Sequence, residues 1–97
     1  MPFEWDKQKR LANLAKHGID FEWAKLIFDS PTIEGVDDRQ EYGEERIGAY
    51  GVVDGEVIFV VYTWRRNNRR IISARKAGTY EREAYYTQIA TAGEDDD

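Results

Sequence analysis

The chain has 97 residues, enough for one domain and too few for two. Its hydrophobic share of 41% and its three Trp and six Tyr mark a folded chain rather than a disordered one. With no Cys and one His, disulfides, thiolate metal sites and multi-His metal centres are excluded.

Net charge is −5, which taken alone speaks against nucleic acid. Its distribution reverses that impression. The last four residues are acidic, residues 29–56 hold nine acids against two Arg, and residues 65–76 hold Arg65, Arg66, Arg69, Arg70, Arg75 and Lys76 with no acid. A basic stripe on an acidic chain is more informative than the overall charge.

In chain order, Phe3 and Trp5 precede a first helix and are expected to pack beneath it. Asp6 is its N-cap, Leu11, Leu14 and Ala15 share a face, Lys16 and His17 sit in the last turn, and Gly18 ends it at the left-handed position. Asp20 caps a second helix with the stripe Phe21, Ala24, Ile27 and Phe28, closed by Ser30-Pro31. A first strand is predicted over Thr32–Val36, and the polar stretch after it reads as a loop. Arg46–Val53 reads as a strand leading to the hairpin turn Asp54-Gly55. Glu56–Trp64 is apolar on both parities, so it is predicted to be a central strand covered on both sides. Asn67-Asn68 is the second turn, and Arg69–Lys76 returns as the last strand of an antiparallel meander. Thr79 is the predicted N-cap of a final helix lined by Tyr80, Ala84, Tyr85 and Ile89, fading by Gly93. The expected fold class is α+β: N-terminal helices and a C-terminal helix packed on an antiparallel meander sheet. The expected domain is 1–93, with an acidic disordered tail at 94–97.

The chemistry-bearing candidates start with the basic stripe. Strict alternation puts Arg69 and Arg75 on one face of the last strand, with Arg70 and Lys76 on the other. Turn arginines grip phosphates, and Tyr50, Tyr62 and Trp64 are near enough in sequence to stack bases. Equally, a charged hairpin keeps a sheet edge soluble. Arg75 differs, because it follows Ile71-Ile72-Ser73-Ala74 and so belongs near the core, where a charge needs a partner. Glu81 and Tyr85 lie four apart on one helix face. By themselves they read as a helix-start acid and a core Tyr. Beside Arg75 they make a cation, a carboxylate and a phenol able to orient a 2′-hydroxyl and stabilise a phosphorane. His17 is the side-chain type for acid–base chemistry near neutral pH, although a helix-end cation is the simpler reading for it and for Lys16. Asp37-Asp38 sits in an apparent loop without ordering residues, which argues against a carboxylate metal site. There is no nucleotide-binding glycine motif and no nucleophile elbow, so no cofactor and no metal are expected.

The chain resembles the BrnT family of toxins of bacterial type II toxin–antitoxin systems. The resemblance is carried by Phe3-Glu4-Trp5-Asp6, Lys9, Asn13, Lys16-His17-Gly18, Phe21, Ala24 and Phe28-Asp29. It continues through Glu45-Arg46, Val61-Tyr62-Thr63, Arg65, the run Arg70-Ile71-Ile72-Ser73-Ala74-Arg75-Lys76-Ala77, Glu81 and Tyr85. The chain departs from the pattern at Lys7, where Pro is usual, and at Glu83, where a base is common.

This resemblance implies a RelE-like ribonuclease fold and metal-independent RNA cleavage that inhibits translation. It also implies a BrnA-like ribbon-helix-helix antitoxin encoded beside the toxin. A heterotetramer of two toxins and two antitoxins would then bind promoter DNA through the antitoxin alone. Carried over residue by residue, the catalytic candidates are Arg75, Glu81, Arg65, Tyr85 and His17. Lys16, Arg66, Arg69, Arg70 and Lys76 are the RNA-contact candidates. The alternative is a non-catalytic binding module that docks an antitoxin and tunes its promoter binding. The first ten residues hold no leader-like apolar stretch and no run approaches a membrane span, so the expected location is the cytoplasm without membrane association.

Overall fold

The computed structural model describes residues 2–94. The elements are β1 (Phe3–Trp5), α1 (Lys7–His17), α2 (Phe21–Ala24) continued by a 3-10 segment (Lys25–Asp29), β2 (Ile33–Val36), β3 (Ile47–Val53), β4 (Glu56–Arg65), β5 (Asn68–Lys76) and α3 (Thr79–Glu94). The sheet order is β1-β5-β4-β3-β2. Strands β2 to β5 form the expected antiparallel meander. The fifth strand was not anticipated. Phe3–Trp5 pairs parallel with Arg69–Ile71, so the sheet is mixed. Three residues are too few to show a strand period, and parallel pairing depends on a partner far along the chain. Helix α3 carries the fold to Glu94, and the rest of the expected acidic tail lies outside the described residues.

Helices α1 and α2 begin and end as the local chemistry dictates. Asp6 accepts from the Gln8 and Lys9 amides, Gly18 closes α1 at φ 70°, and Asp20 accepts from Glu22 N. The α2 stripe packs on one face of the sheet. Phe21, Ala24 and Ile27 are fully buried against Ala49, Ile58, Val60, Tyr62, Ile71 and Ala74. Strand β4 lies at the centre, and both of its parities are buried, with Val57, Val61 and Thr63 turned to the opposite, outer face.

Two expected apolar faces fail. In α1, Leu11 and Leu14 are exposed and Asn13 is the buried residue. The reason is that α1 caps the edge of β5 beyond its short pairing with β1. There the open strand needs hydrogen-bond partners more than apolar cover. Asn13 acts as a substitute strand: Nδ2 donates to Ala74 O (2.8 Å) and Ile19 O (3.0 Å), while Oδ1 accepts from Ala74 N (3.1 Å). In α3, Tyr80 and Ala84 are exposed, Ile89 is half-buried and Tyr85 is buried, its hydroxyl donating to Pro31 O at 2.7 Å.

The second hairpin turn is Arg66-Asn67, both at positive φ, one residue earlier than Asn67-Asn68. Further along, β5 carries an irregularity. Val61 pairs with Ser73 but Tyr62 pairs with Ile71, which leaves Ile72 as a bulge. Alternation is therefore broken between the ends of β5. Arg69, Ile71, Ala74 and Lys76 fall on the helix-covered face, while Arg70, Ser73 and Arg75 fall on the outer face. The expected grouping of Arg69 with Arg75 is thus corrected: a one-residue slip in pairing moves side chains to the other face.

Candidate functional site

The outer face is built up from β3 and β4. Gly35 pairs with Gly48, and the Phe59 ring lies across Gly48 so closely that a Cβ there would sit 2.7 Å from two ring atoms. A side chain at position 48 would lift the ring. With Gly48 bare, Phe59 lies flat and stacks on Tyr50 at 4.5 Å between centroids. The guanidinium of Arg75, its cross-strand neighbour, sits 4.7 Å from the same ring.

Glu81 meets Arg75 from the first turn of α3. Arg75 Nη1 and Nη2 donate to Glu81 Oε1 and Oε2 at 2.8 and 2.9 Å, a bidentate pair. Gly78 N donates to Oε1 at 2.7 Å, so Glu81 also completes the start of the helix by reaching back to the cap amide. Gly78 holds that cap position, one residue earlier than the expected cap, and Thr79 is the first helical residue. The fourth contact is the Tyr50 hydroxyl, donating to Oε2 at 2.5 Å. Arg75 first, with help from Tyr50 and the Gly78 amide, holds the Glu81 carboxyl down at about 2. Burial first, and then the Glu81 charge, raise the Tyr50 phenol above its ordinary value. At neutral pH the cluster is a guanidinium, a carboxylate and a neutral phenol.

The hydrogen bonds leave part of Arg75 free. Its Nη1 also donates to Lys76 O at 3.2 Å. That uses both Nη1 hydrogens and one on Nη2. The Nε hydrogen and the second Nη2 hydrogen have no protein partner among the described residues. These two lie side by side on one edge of the guanidinium, the spacing that a phosphate or carboxylate bridges. Arg75 is 35% exposed and borders a groove of about 450 Å³ with Tyr50, Phe59, Glu81, Gly48 and the Asp37–Arg39 turn. That turn is ordered, contrary to expectation: Asp37 is buried and accepts from Arg39 Nε and Nη2 at 2.7 and 2.8 Å.

The other candidates separate by face. Ser73 and Arg75 share the outer face two residues apart, about 7 Å along the strand. Ser73 also borders a shallow groove with Lys9, Asn13, Lys16 and His17. Lys16 and His17 thus lie at the β5 edge near Ser73. Arg65 and Arg66 stand exposed at the β4–β5 hairpin. Arg70 is on the outer face but is paired with Glu4 at 2.7 Å. Lys76 pairs with Glu56 at 3.3 Å, and Arg69 is on the helix-covered face. Tyr85 lies beside Pro31, so the phenol on Glu81 is that of Tyr50. From sequence, Tyr50 figured only as a base-stacking ring, because 31 residues separate it from Glu81 and no local spacing signals the contact.

The fold and cluster define the class: a small α+β protein that presents one edge of a carboxylate-braced arginine to an anion from an open sheet face. The chain belongs to the BrnT family, whose model, described as the ribonuclease toxin BrnT of a type II toxin–antitoxin system, matches residues 5–81. No curated protein matches the chain. Among the described residues no helix is long and apolar enough to cross a membrane.

Proposed function

We propose that the outer face of the sheet is the site at which this ribonuclease toxin cleaves RNA without a metal ion, and that Arg75 is its central residue. The observation that carries this is the free side edge of the Arg75 guanidinium, oriented by Glu81 and open to the groove. A backbone phosphate on that edge receives two charge-assisted hydrogen bonds. The ribose 2′-oxygen gives up its proton and attacks the adjacent phosphorus, the 2′-O–P bond forms, and the P–O5′ bond breaks with the leaving 5′-oxygen taking a proton from water. Arg75 neutralises the charge that develops on the non-bridging oxygens.

The roles of the neighbours follow from their bonds. Glu81 is a positioning residue: a carboxyl held at about 2 does not take up a proton at neutral pH. His17, on the rim beyond Ser73, is the group proposed to accept the 2′-proton, with Lys16 holding the next phosphate. Arg65 and Arg66 extend the track toward the hairpin. Tyr50 keeps its proton and donates a hydrogen bond to Glu81, which helps fix the carboxylate, and Tyr85 anchors α3 through Pro31. The toxin is proposed to act in the cytoplasm, to resemble RelE-type ribonucleases, and to be silenced by a BrnA-like ribbon-helix-helix antitoxin in a complex of two toxins and two antitoxins.

The test is growth and RNA integrity after induced expression of the wild type and of Arg75→Ala. Arrest and fragmentation with the wild type alone support the reading. Normal growth and intact RNA with a folded wild type would instead make the chain a non-catalytic module that docks its antitoxin.

A further inference from the structure

Arg69 is the one arginine of the stripe that the RNA face does not explain. It points from β5 to the helix-covered side, where its Cζ lies 4.2 Å from the Phe28 ring, 4.8 Å from Trp64 and 5.3 Å from Tyr62. Three rings around one guanidinium offset part of its desolvation. Of the three, only Tyr62 carries an acceptor, its hydroxyl oxygen, and that hydroxyl donates its own hydrogen to Glu34. Nε and Nη1 are sealed from solvent and have no hydrogen-bond partner among the described residues. Neither does an ion pair reach Arg69, although Arg39, Arg46, Arg70 and Arg75 each have one. Glu34, an acid on this face, is engaged by the hydroxyls of Tyr62 and Thr32. A cation desolvated on two nitrogens and lacking a counter-charge is costly as it stands. Its remaining nitrogen, Nη2, gains strongly from a carboxylate brought from outside.

The surroundings specify what would bring it. Trp64, the cross-strand neighbour of Arg69, is 49% exposed. Apolar surface around an unpaired guanidinium matches a protein segment with an acidic side chain flanked by apolar ones. Aromatic and Arg anchors of this kind dominate the energetics of protein interfaces. RNA would meet rings and aliphatic surface here with a single cation, and the Arg75 edge lies on the opposite side of the sheet.

We infer that the Arg69–Trp64 surface is a carboxylate-anchored docking site for the antitoxin, which holds the toxin from the side opposite its RNA groove. This rests on the toxin–antitoxin reading above. An antitoxin seated there grips the toxin without entering the groove, so binding and blocking are separable functions of different antitoxin segments.

The experiment uses the purified toxin and the ribbon-helix-helix antitoxin encoded beside it, with affinity measured by calorimetry. Variants are Arg69→Ala and, where the loss of Arg69 prevents folding, the more exposed Trp64→Ala. Binding at least tenfold weaker in the folded variant supports the site. Affinity within twofold of the wild type overturns it. If such a variant also loses RNA cleavage while its antitoxin affinity is unchanged, Arg69 serves RNA and the inference is wrong. Failure of the wild-type toxin to cleave RNA, by contrast, bears on the ribonuclease reading alone.

Discussion

Glu81 makes four hydrogen bonds to three partners that come from β3, β5 and its own helix start, so its charge state is tied to folding. Its carboxyl lies at about 2 in the fold against 4.5 without these contacts. A depressed carboxyl stabilises the protein fully above the unfolded value and loses that contribution as pH falls through the folded one. Glu81→Gln is therefore expected to melt lower than the wild type, on the order of 5 °C, at all pH values above about 4.5. The gap should close as pH drops toward 2. A gap that persists unchanged at pH 2 would show that the carboxylate charge is not what matters. Arg75 was legible in the sequence as a cation out of place at the end of an apolar strand, and Glu81 as a helix-start acid that gained weight only beside it. Tyr50 as their third member was not, since only the β3–β4–β5 register brings it there.

At the scale of elements, Asn13 shows how a single polar side chain replaces a strand. Truncation leaves the Ala74 N–H and carbonyl and the Ile19 carbonyl without partners in a buried setting. Asn13→Ala is expected to destabilise the domain by about 2–3 kcal/mol. The check is the urea midpoint at unchanged m-value, and a loss below about 1 kcal/mol would mean that water or a shifted α1 fills the role. The strand pair beneath the site gives a second prediction. Gly48→Ala places a Cβ 2.7 Å from the Phe59 ring and moves the surface on which Arg75 rests. RNA cleavage should fall about 10–100-fold while the variant stays folded. Wild-type cleavage by a folded Gly48→Ala chain would show that the Phe59 platform does not position Arg75. The caps of α1 and α2 and the central strand were readable because they depend on neighbours within a few residues. The Ile72 bulge, the parallel β1 and the edge-capping α1 were not, because each depends on pairing between distant segments. That is why the apolar stripe expected on α1 turned out to face away from the sheet.

Across the whole molecule, acids stand beside many of the cations, and Asp37, Asp38 and Glu81 border the same groove as Arg75. The acids cluster on the 29–56 stretch, Glu4 and Glu56 neutralise Arg70 and Lys76, and Arg75, Arg65, Arg66, Lys16 and His17 remain on or around the outer face. Half-neutralised in this way, the site relies on a few directed hydrogen bonds more than on bulk positive charge. The family was legible in the motifs because these same residues build the β5 edge, the bulge and the cluster. The placing of Arg69 and Arg75 on opposite faces depended on the bulge and was hidden. The most direct measurement is the rate at which the purified wild-type chain and Arg75→Ala cleave a single-stranded RNA in the presence of a chelator. The account predicts that the wild type cleaves undiminished by the chelator and that Arg75→Ala is slower by about a hundred- to a thousand-fold with its fold intact. Equal rates for the two proteins would contradict it.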